Sequence, residues 1–226
     1  MKSLPASIQG VLFDLDGTLL DSAPDLYAAL VRQCEEEGVA IPNYESVREV
    51  VSRGSRAILQ RGFPDRDEAG ILALMQRYLD LYEGMLAEHT RPFDGIDAML
   101  EGLEANGIAW GVVTNKPGFL TDLLLERIGW TPRVCAVVAG DTLAVKKPDP
   151  APVLLACERA GLDPLRCLFV GDDRRDVLAG NAAGLYSVAV EWGYLDGGDP
   201  QQWGADAVIA HPAELSAWIE RRQAIA

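Results

Sequence analysis

The chain has 226 residues, 49% of them hydrophobic and 24% charged, which suffices for one ample core, or a core with a smaller appended domain. A formal net charge of −14 argues against nucleic acid as a partner and requires that any anionic substrate meet a locally positive site. The opening "MKSLPASIQG" has one Lys and no sustained apolar stretch, so neither signal peptide nor membrane anchor is expected, and the cytoplasm is the simplest compartment.

The first predicted element is the run "IQGVLF", which leads into "VLFDLDGTLLDS" at residues 11–22. An apolar run that reads as a buried strand thus delivers two aspartates with only Leu15 between them. In an extended chain alternate side chains share a face, so Asp14 and Asp16 are expected side by side. Two buried like charges repel, and a cation or a shared proton is the expected relief. The stretch asks for a metal.

From Ser22 to Glu88 the pattern is helical, with no convincing strand. "SAPDLYAALVRQCEEEG" has Ser22 as a capping residue, Pro24 in the first turn and Gly38 as a stop, while "DRDEAGILALMQRYLDLYEGMLAEH" repeats its apolar residues at three and four spacing. The run Glu35–Glu37 reads as a solvated helix end, and His89 and His211 as surface residues. "TRPFDG" marks the exit. Residues 21–91 are therefore expected to form a helical cap, and residues 1–20 with 92–226 an α/β core. Linkers are expected near Leu20–Ala23 and Thr90–Gly95.

Five further β-prone runs follow, "IAWGVV", "VCAVVA", "RCLFV", "YSVAV" and "DAVIA", separated by helical stretches or shorter loops. Runs apolar on both faces suit a doubly wound, Rossmann-like parallel sheet covered by helices on both sides. Cys34, Cys135, Cys157 and Cys167 lack paired spacing and read as reduced core thiols.

Ligands of such sheets bind beyond the carboxyl ends of the strands. Those ends carry Asp14 and Asp16, then Thr114, Asn115 and Lys116, then Lys146 and Lys147 in "KKPDP", then Asp172, Asp173 and Asp176 in "VGDDRRD". Singly, each reads as a turn former, a cap or a surface charge. Together they suit phosphoryl transfer. Asp14 can attack phosphorus and divide one hard hydrolysis into two displacements. Asp16 can protonate the leaving alcohol and then deprotonate water. Mg²⁺ on oxygens that include Asp172 would offset the repulsion between nucleophile and phosphate, and Thr114 and Lys147 would hold phosphate oxygens.

With D-x-D-G-T, a strand-end Thr, K-P-x-P and G-D-x-x-x-D in this order, the chain resembles the haloacid dehalogenase superfamily phosphatases that carry a helical cap. The resemblance implies Asp14 as nucleophile, Asp16 as acid/base, and Mg²⁺ held by the Asp14 side chain, the Asp16 backbone carbonyl and Asp172. Lys147, directly before Pro148, matches the motif lysine better than Lys146. Asp173 stands where a small polar residue such as Ser is common, and Asp173 and Asp176 are expected behind the direct metal ligands.

Within the superfamily, "RPFDG", "WGVVTNKP" and "VGDDRRD" resemble bacterial phosphoglycolate phosphatases and the related N-acetylmuramic acid 6-phosphate phosphatases. The likeness implies a cytoplasmic phosphomonoesterase for a small phosphorylated metabolite, with 2-phosphoglycolate ranked first, the amino-sugar phosphate second, and a sugar-phosphate mutase as a further alternative. Asn115 and Lys116 are expected to touch substrate. So are Arg53 and Arg56 of "VSRGSRAIL", whose planar forks suit a carboxylate. A signalling receiver domain would order its Asp, Thr and Lys differently and lack the insert. A phosphonate hydrolase would need a cap lysine, and residues 22–88 contain none. Oligomeric state is left open.

Overall fold

The computed structural model describes residues 2–223. Strand β1 (Gly10–Phe13) is followed by the two-residue β2 (Leu20–Asp21), and then by four helices: α1 (Ala23–Glu37), α2 (Tyr44–Arg48), α3 (Ser55–Gly62) and α4 (Glu68–Met85). The chain returns through β3 (Arg91–Pro92), which pairs antiparallel with β2. Then come α5 (Ile96–Ala105), β4 (Ala109–Val113), α6 (Gly118–Ile128), β5 (Val137–Val138), α7 (Ala151–Ala160), β6 (Cys167–Gly171), α8 (Arg174–Ala183), β7 (Tyr186–Val190), β8 (Ala207–Ile209) and α9 (Pro212–Gln223).

Six strands form one parallel sheet in the order β5-β4-β1-β6-β7-β8, a doubly wound arrangement. The period of two decides which face each residue covers. Val11, Phe13, Trp110, Val112, Leu168 and Val170 pack under α5, α6 and α9, whereas Leu12, Val113, Cys167 and Phe169 pack under α7 and α8. The order reverses at central β1, so its carboxyl end opens into the crevice where such sheets bind ligands. β5 is shorter than its sequence run because Cys135 and Ala136 pair with β4 through single backbone bonds at the sheet edge. Cys34, Cys157 and Cys167 are buried free thiols; Cys135, at that edge, is exposed, against the expectation of a core position.

The first apolar cluster continues without a break from the sheet into α1, α3 and α4. α3 crosses α1 closely because Gly62 has no side chain: a Cβ there would stand 2.6 Å from Leu30 Cδ1. Tyr78 donates to the Leu26 carbonyl (2.9 Å) and Gln33 to that of Leu74 (2.9 Å), tying α1 to α4. The Glu35–Glu37 run is not merely solvated, since Glu36 takes a two-point bond from Arg77 of α4 (2.9 and 2.7 Å) and Glu37 one from Arg66 (3.2 Å). Buried Asp25 accepts from His89 N, Thr90 N and Thr90 Oγ1 (2.8, 3.0 and 2.6 Å), fastening the exit of the helical segment to its first helix. α4 ends four residues before His89, which is exposed, as is His211. Among the described residues, no helix is long and apolar enough to cross a membrane.

Candidate active site

Asp14 directly follows β1, and its N–H extends the ladder to the Val170 carbonyl (2.9 Å). Its Oδ1 lies 2.8 Å from Lys147 Nζ, and the same ammonium lies 2.7 Å from Asp176 Oδ1. Burial disfavours the Lys147 charge, but Asp14 and Asp176 outweigh it and hold the ammonium above the usual lysine range. Asn115 clamps the backbone of Lys147 reciprocally, its amide nitrogen donating to the carbonyl and its oxygen accepting from the N–H, both at 3.1 Å. The amide expected to touch substrate is thus engaged in aiming the lysine.

Asp172 is fully buried. Its Oδ1 accepts from Thr18 Oγ1 (2.8 Å) and its Oδ2 from the Tyr194 N–H (2.9 Å), while burial first and the Asp14 charge second push its carboxyl up to about 7. Here lies a physical reason for the Gly-Thr that follows the aspartate pair. Gly17 has φ +90°, and a Cβ on it would lie 2.1 Å from Asp172 Oδ2, so only glycine lets the turn pass while Thr18 reaches back.

Asp14, Asp172 and Asp176 each bring an oxygen within 4.8 Å of the others. Burial also raises Asp176 well above the carboxylate range, with Lys147 opposing. Three converging carboxylates with one ammonium between two of them form an oxygen-only donor set with surplus negative charge, which fits a hard divalent cation such as Mg²⁺. Asp176 therefore stands in the acidic group itself, not behind it as the sequence suggested. Asp173 does stand aside: it caps α8, accepting from Arg175 N (2.7 Å), and Asp176 Oδ2 accepts in return from Asp173 N (3.1 Å).

β1 ends at Phe13, so strand alternation is not what relates Asp14 to Asp16. The chain turns here, Leu19 N and Leu20 N both bonding to the Leu15 carbonyl (3.1 and 3.0 Å). Asp16 faces Lys116 Nζ (3.2 and 3.1 Å) and accepts from Ser22 Oγ (2.6 Å), so its side chain points away from the acidic group. Ser22 consequently does not cap α1 with its side chain. Instead Tyr194 Oη accepts from Ser22 N and Ala23 N (2.8 and 2.9 Å) and donates to Asp21 Oδ1 (2.9 Å). Lys116 also bonds to the hydroxyl of Tyr82 on α4 (2.7 Å), a partner in the helical segment that no local sequence signal announces.

Above this floor lies a cavity of about 360 Å³. Asp14, Asp16, Thr114 and Lys147 line its base, and the turn Ser52–Arg56 with Ile58, Met75 and Leu79 lines its roof. Arg53 and Arg56 both reach it, although the Arg56 guanidinium bonds Glu68 (2.8 Å) at the exposed rim. Every expected site residue thus gathers around one space, except that Asp172 lies beneath its floor.

The family profile of haloacid dehalogenase-like hydrolases matches residues 11–190. The chain belongs to that family. Among curated relatives of this hydrolase, a phosphoglycolate phosphatase of Xanthomonas campestris is 46% identical over 93% of the chain and 97% of its own length. An N-acetylmuramic acid 6-phosphate phosphatase of Pseudomonas aeruginosa is 42% identical over 95% and 96%. A crystal structure from Haemophilus somnus, described as a predicted phosphoglycolate phosphatase, superposes with a TM-score of 0.85 at 26% identity, covering 96% of this hydrolase and 99% of that chain. Sequence reasoning missed Ser52, Tyr82 and Arg175 in this hydrolase. A serine before Arg53 and an arginine inside the fourth motif were visible, but their partners lie 120 or more residues away.

Proposed function

We propose that this hydrolase is a Mg²⁺-dependent phosphomonoesterase that acts on a small phosphorylated acid, 2-phosphoglycolate foremost, through an aspartyl phosphate on Asp14. The observation that carries the reading is the chain Asp14–Lys147–Asp176 beside buried Asp172, with Asp16 held apart by Ser22 and Lys116 under the same cavity. One Asp14 oxygen attacks phosphorus as the ester oxygen leaves, and Asp16 gives that oxygen a proton. Asp16 then takes a proton from water, whose oxygen attacks phosphorus, and Asp14 departs as a free carboxylate with phosphate released. Lys147 steadies the attacking carboxylate, and Thr114 presents a hydroxyl to the phosphoryl oxygens. Asp14, Asp172 and Asp176, with the Asp16 carbonyl, would hold Mg²⁺, which supplies neutralisation of the charge shared by nucleophile and phosphate.

A second reading, an amino-sugar phosphate such as N-acetylmuramic acid 6-phosphate, is favoured by the cavity. At about 360 Å³ with Ile58, Met75 and Leu79 on its wall, it offers apolar room that a two-carbon acid leaves unused. The relative from Pseudomonas aeruginosa supports this reading, and the one from Xanthomonas campestris the first. The test is phosphate release with Mg²⁺ from 2-phosphoglycolate, N-acetylmuramic acid 6-phosphate and a neutral aryl phosphate. Highest kcat/KM on the first is expected. An isomerised sugar phosphate without free phosphate would mean a mutase.

A further inference from the structure

We propose that Arg175, held by Asp173, is a positioning residue that latches the turn at residues 51–54 over the substrate cavity. The inference rests on the reading of that cavity as the substrate site. Arg175 sits at the start of α8, and its Nε and Nη2 meet Asp173 Oδ1 and Oδ2, both at 2.8 Å, in a two-point ion pair. With the fork oriented this way, Nη2 also donates to the backbone carbonyl of Ser52, on the far side of the cavity. Two anchored points leave the third hydrogen bond little freedom of direction.

The turn that receives this bond needs it. Val51–Arg53 is a single 3-10 turn between α2 and α3, and only Val51 within it is buried. Gly54 follows at φ +81° with nothing within 4 Å of where a Cβ would stand, so the backbone has room to swing. The turn lies alongside the 3-10 turn at residues 195–197, and its Ser52 reaches the floor twice, through the carbonyl on Arg175 and through the hydroxyl, 3.4 Å from Asp172 Oδ2. Arg53 is the next residue along. Fixing the Ser52 carbonyl fixes the backbone from which Arg53 enters the cavity, so the latch acts on the non-phosphate part of the substrate. It also gives a purpose to the acid at position 173: a serine there could cap α8 but could not orient a guanidinium at two points.

The test uses Asp173→Ser, which keeps the helix cap, and Arg175→Lys, which keeps the charge but loses the fork. In ligand-free protein, hydrogen exchange at the amides of Arg53 and Gly54, bonded to Val50 and Val51 carbonyls, should speed up about tenfold in both variants while the sheet stays protected. KM for 2-phosphoglycolate should rise about tenfold, with kcat and the aryl phosphate changed far less. Unchanged exchange at Arg53 and Gly54 in both variants would overturn the latch, as would equal loss on acidic and neutral esters. Wild-type protein inactive on every ester would instead overturn the proposed function, and the exchange measurement would still judge the latch.

Discussion

Strand ends and cap turn face each other across one cavity, and they are held in place differently. On the floor, Lys147 is aimed by Asn115 and paired to two carboxylates, and Asp172 is fixed by Thr18 and a backbone N–H, all of them buried or nearly so. On the roof, the turn at residues 51–54 is mostly solvent-facing, and Ser52 hydrogen-bonds across to Arg175 and Asp172. The difference teaches a division of labour. On the proposed reading, the floor would touch only what all phosphate esters share and gain from rigidity, whereas discrimination needs an element that meets the rest of the substrate.

The sharpest way to break that division is at the nucleophile. Asp14→Asn keeps the shape of the side chain and removes its nucleophilicity, so turnover should fall about 10⁴-fold or more on every ester alike, acidic or neutral. It also removes one charge from Lys147, leaving Asp176 as its partner, so the fold should persist. Near-normal turnover, checked by phosphate release and by circular dichroism on the same preparation, would mean that Asp14 forms no covalent intermediate.

A second test asks whether the floor needs a cation to be stable. Burial and the Asp14 charge lift Asp172 from 3.8 to about 7, against the opposing bonds from Tyr194 N and Thr18. The folded carboxyl then keeps its proton at pH values where the unfolded chain has lost it, so the folded state binds more protons between about 4 and 7. Its contribution is full below the lower value and is lost as pH rises through the upper one, a change on the order of 4 kcal/mol. In protein stripped of divalent ions the melting temperature should therefore fall across this window, and Mg²⁺ should restore it most at pH 7 and above. Asp172→Asn should flatten the slope, although one amide oxygen facing two donors should also lower stability throughout. A chelated protein whose melting ignores both pH and Mg²⁺ would remove the cation from the floor.

The same contrast governs what could be read in advance. The six parallel strands follow from apolar runs whose alternate residues had to be covered on both faces, Asp14, Thr114 and Asp172 converge because parallel strands end together, and the loop after β5 brings Lys147 back to Asp14. Local chemistry was legible where its partner was local. It failed where a side chain is spent at a distance: Ser22 as a cap, because its hydroxyl goes to Asp16 and a tyrosine 172 residues away serves the helix instead; Asp176 as a residue behind the acidic group, because its carboxylate lies within that group beside Asp14 and Asp172. Extended alternation between Asp14 and Asp16 failed for a different reason, since the glycine turn begins sooner than an apolar run can reveal.

The smallest expected effect separates the two cap arginines, and it sharpens the comparison from the roof side. Both line the cavity, but Arg56 bonds Glu68 at a rim where each side chain is half or more exposed, while Arg53 is carried by the latched turn. Arg56 stands at the rim, whereas Arg53 directly follows Ser52, whose carbonyl and hydroxyl reach the floor. Arg53→Ala should thus raise KM for 2-phosphoglycolate by about tenfold, the value of a charge-assisted bond, and leave an aryl phosphate within about twofold. Arg56→Ala should change either substrate by no more than about twofold, because an exposed ion pair contributes little. Steady-state kinetics of both variants on both esters decides the matter. A larger effect at Arg56 than at Arg53 would reverse the assignment of the carboxylate-reading residue, and equal losses on acidic and neutral esters would show that neither arginine reads a carboxylate.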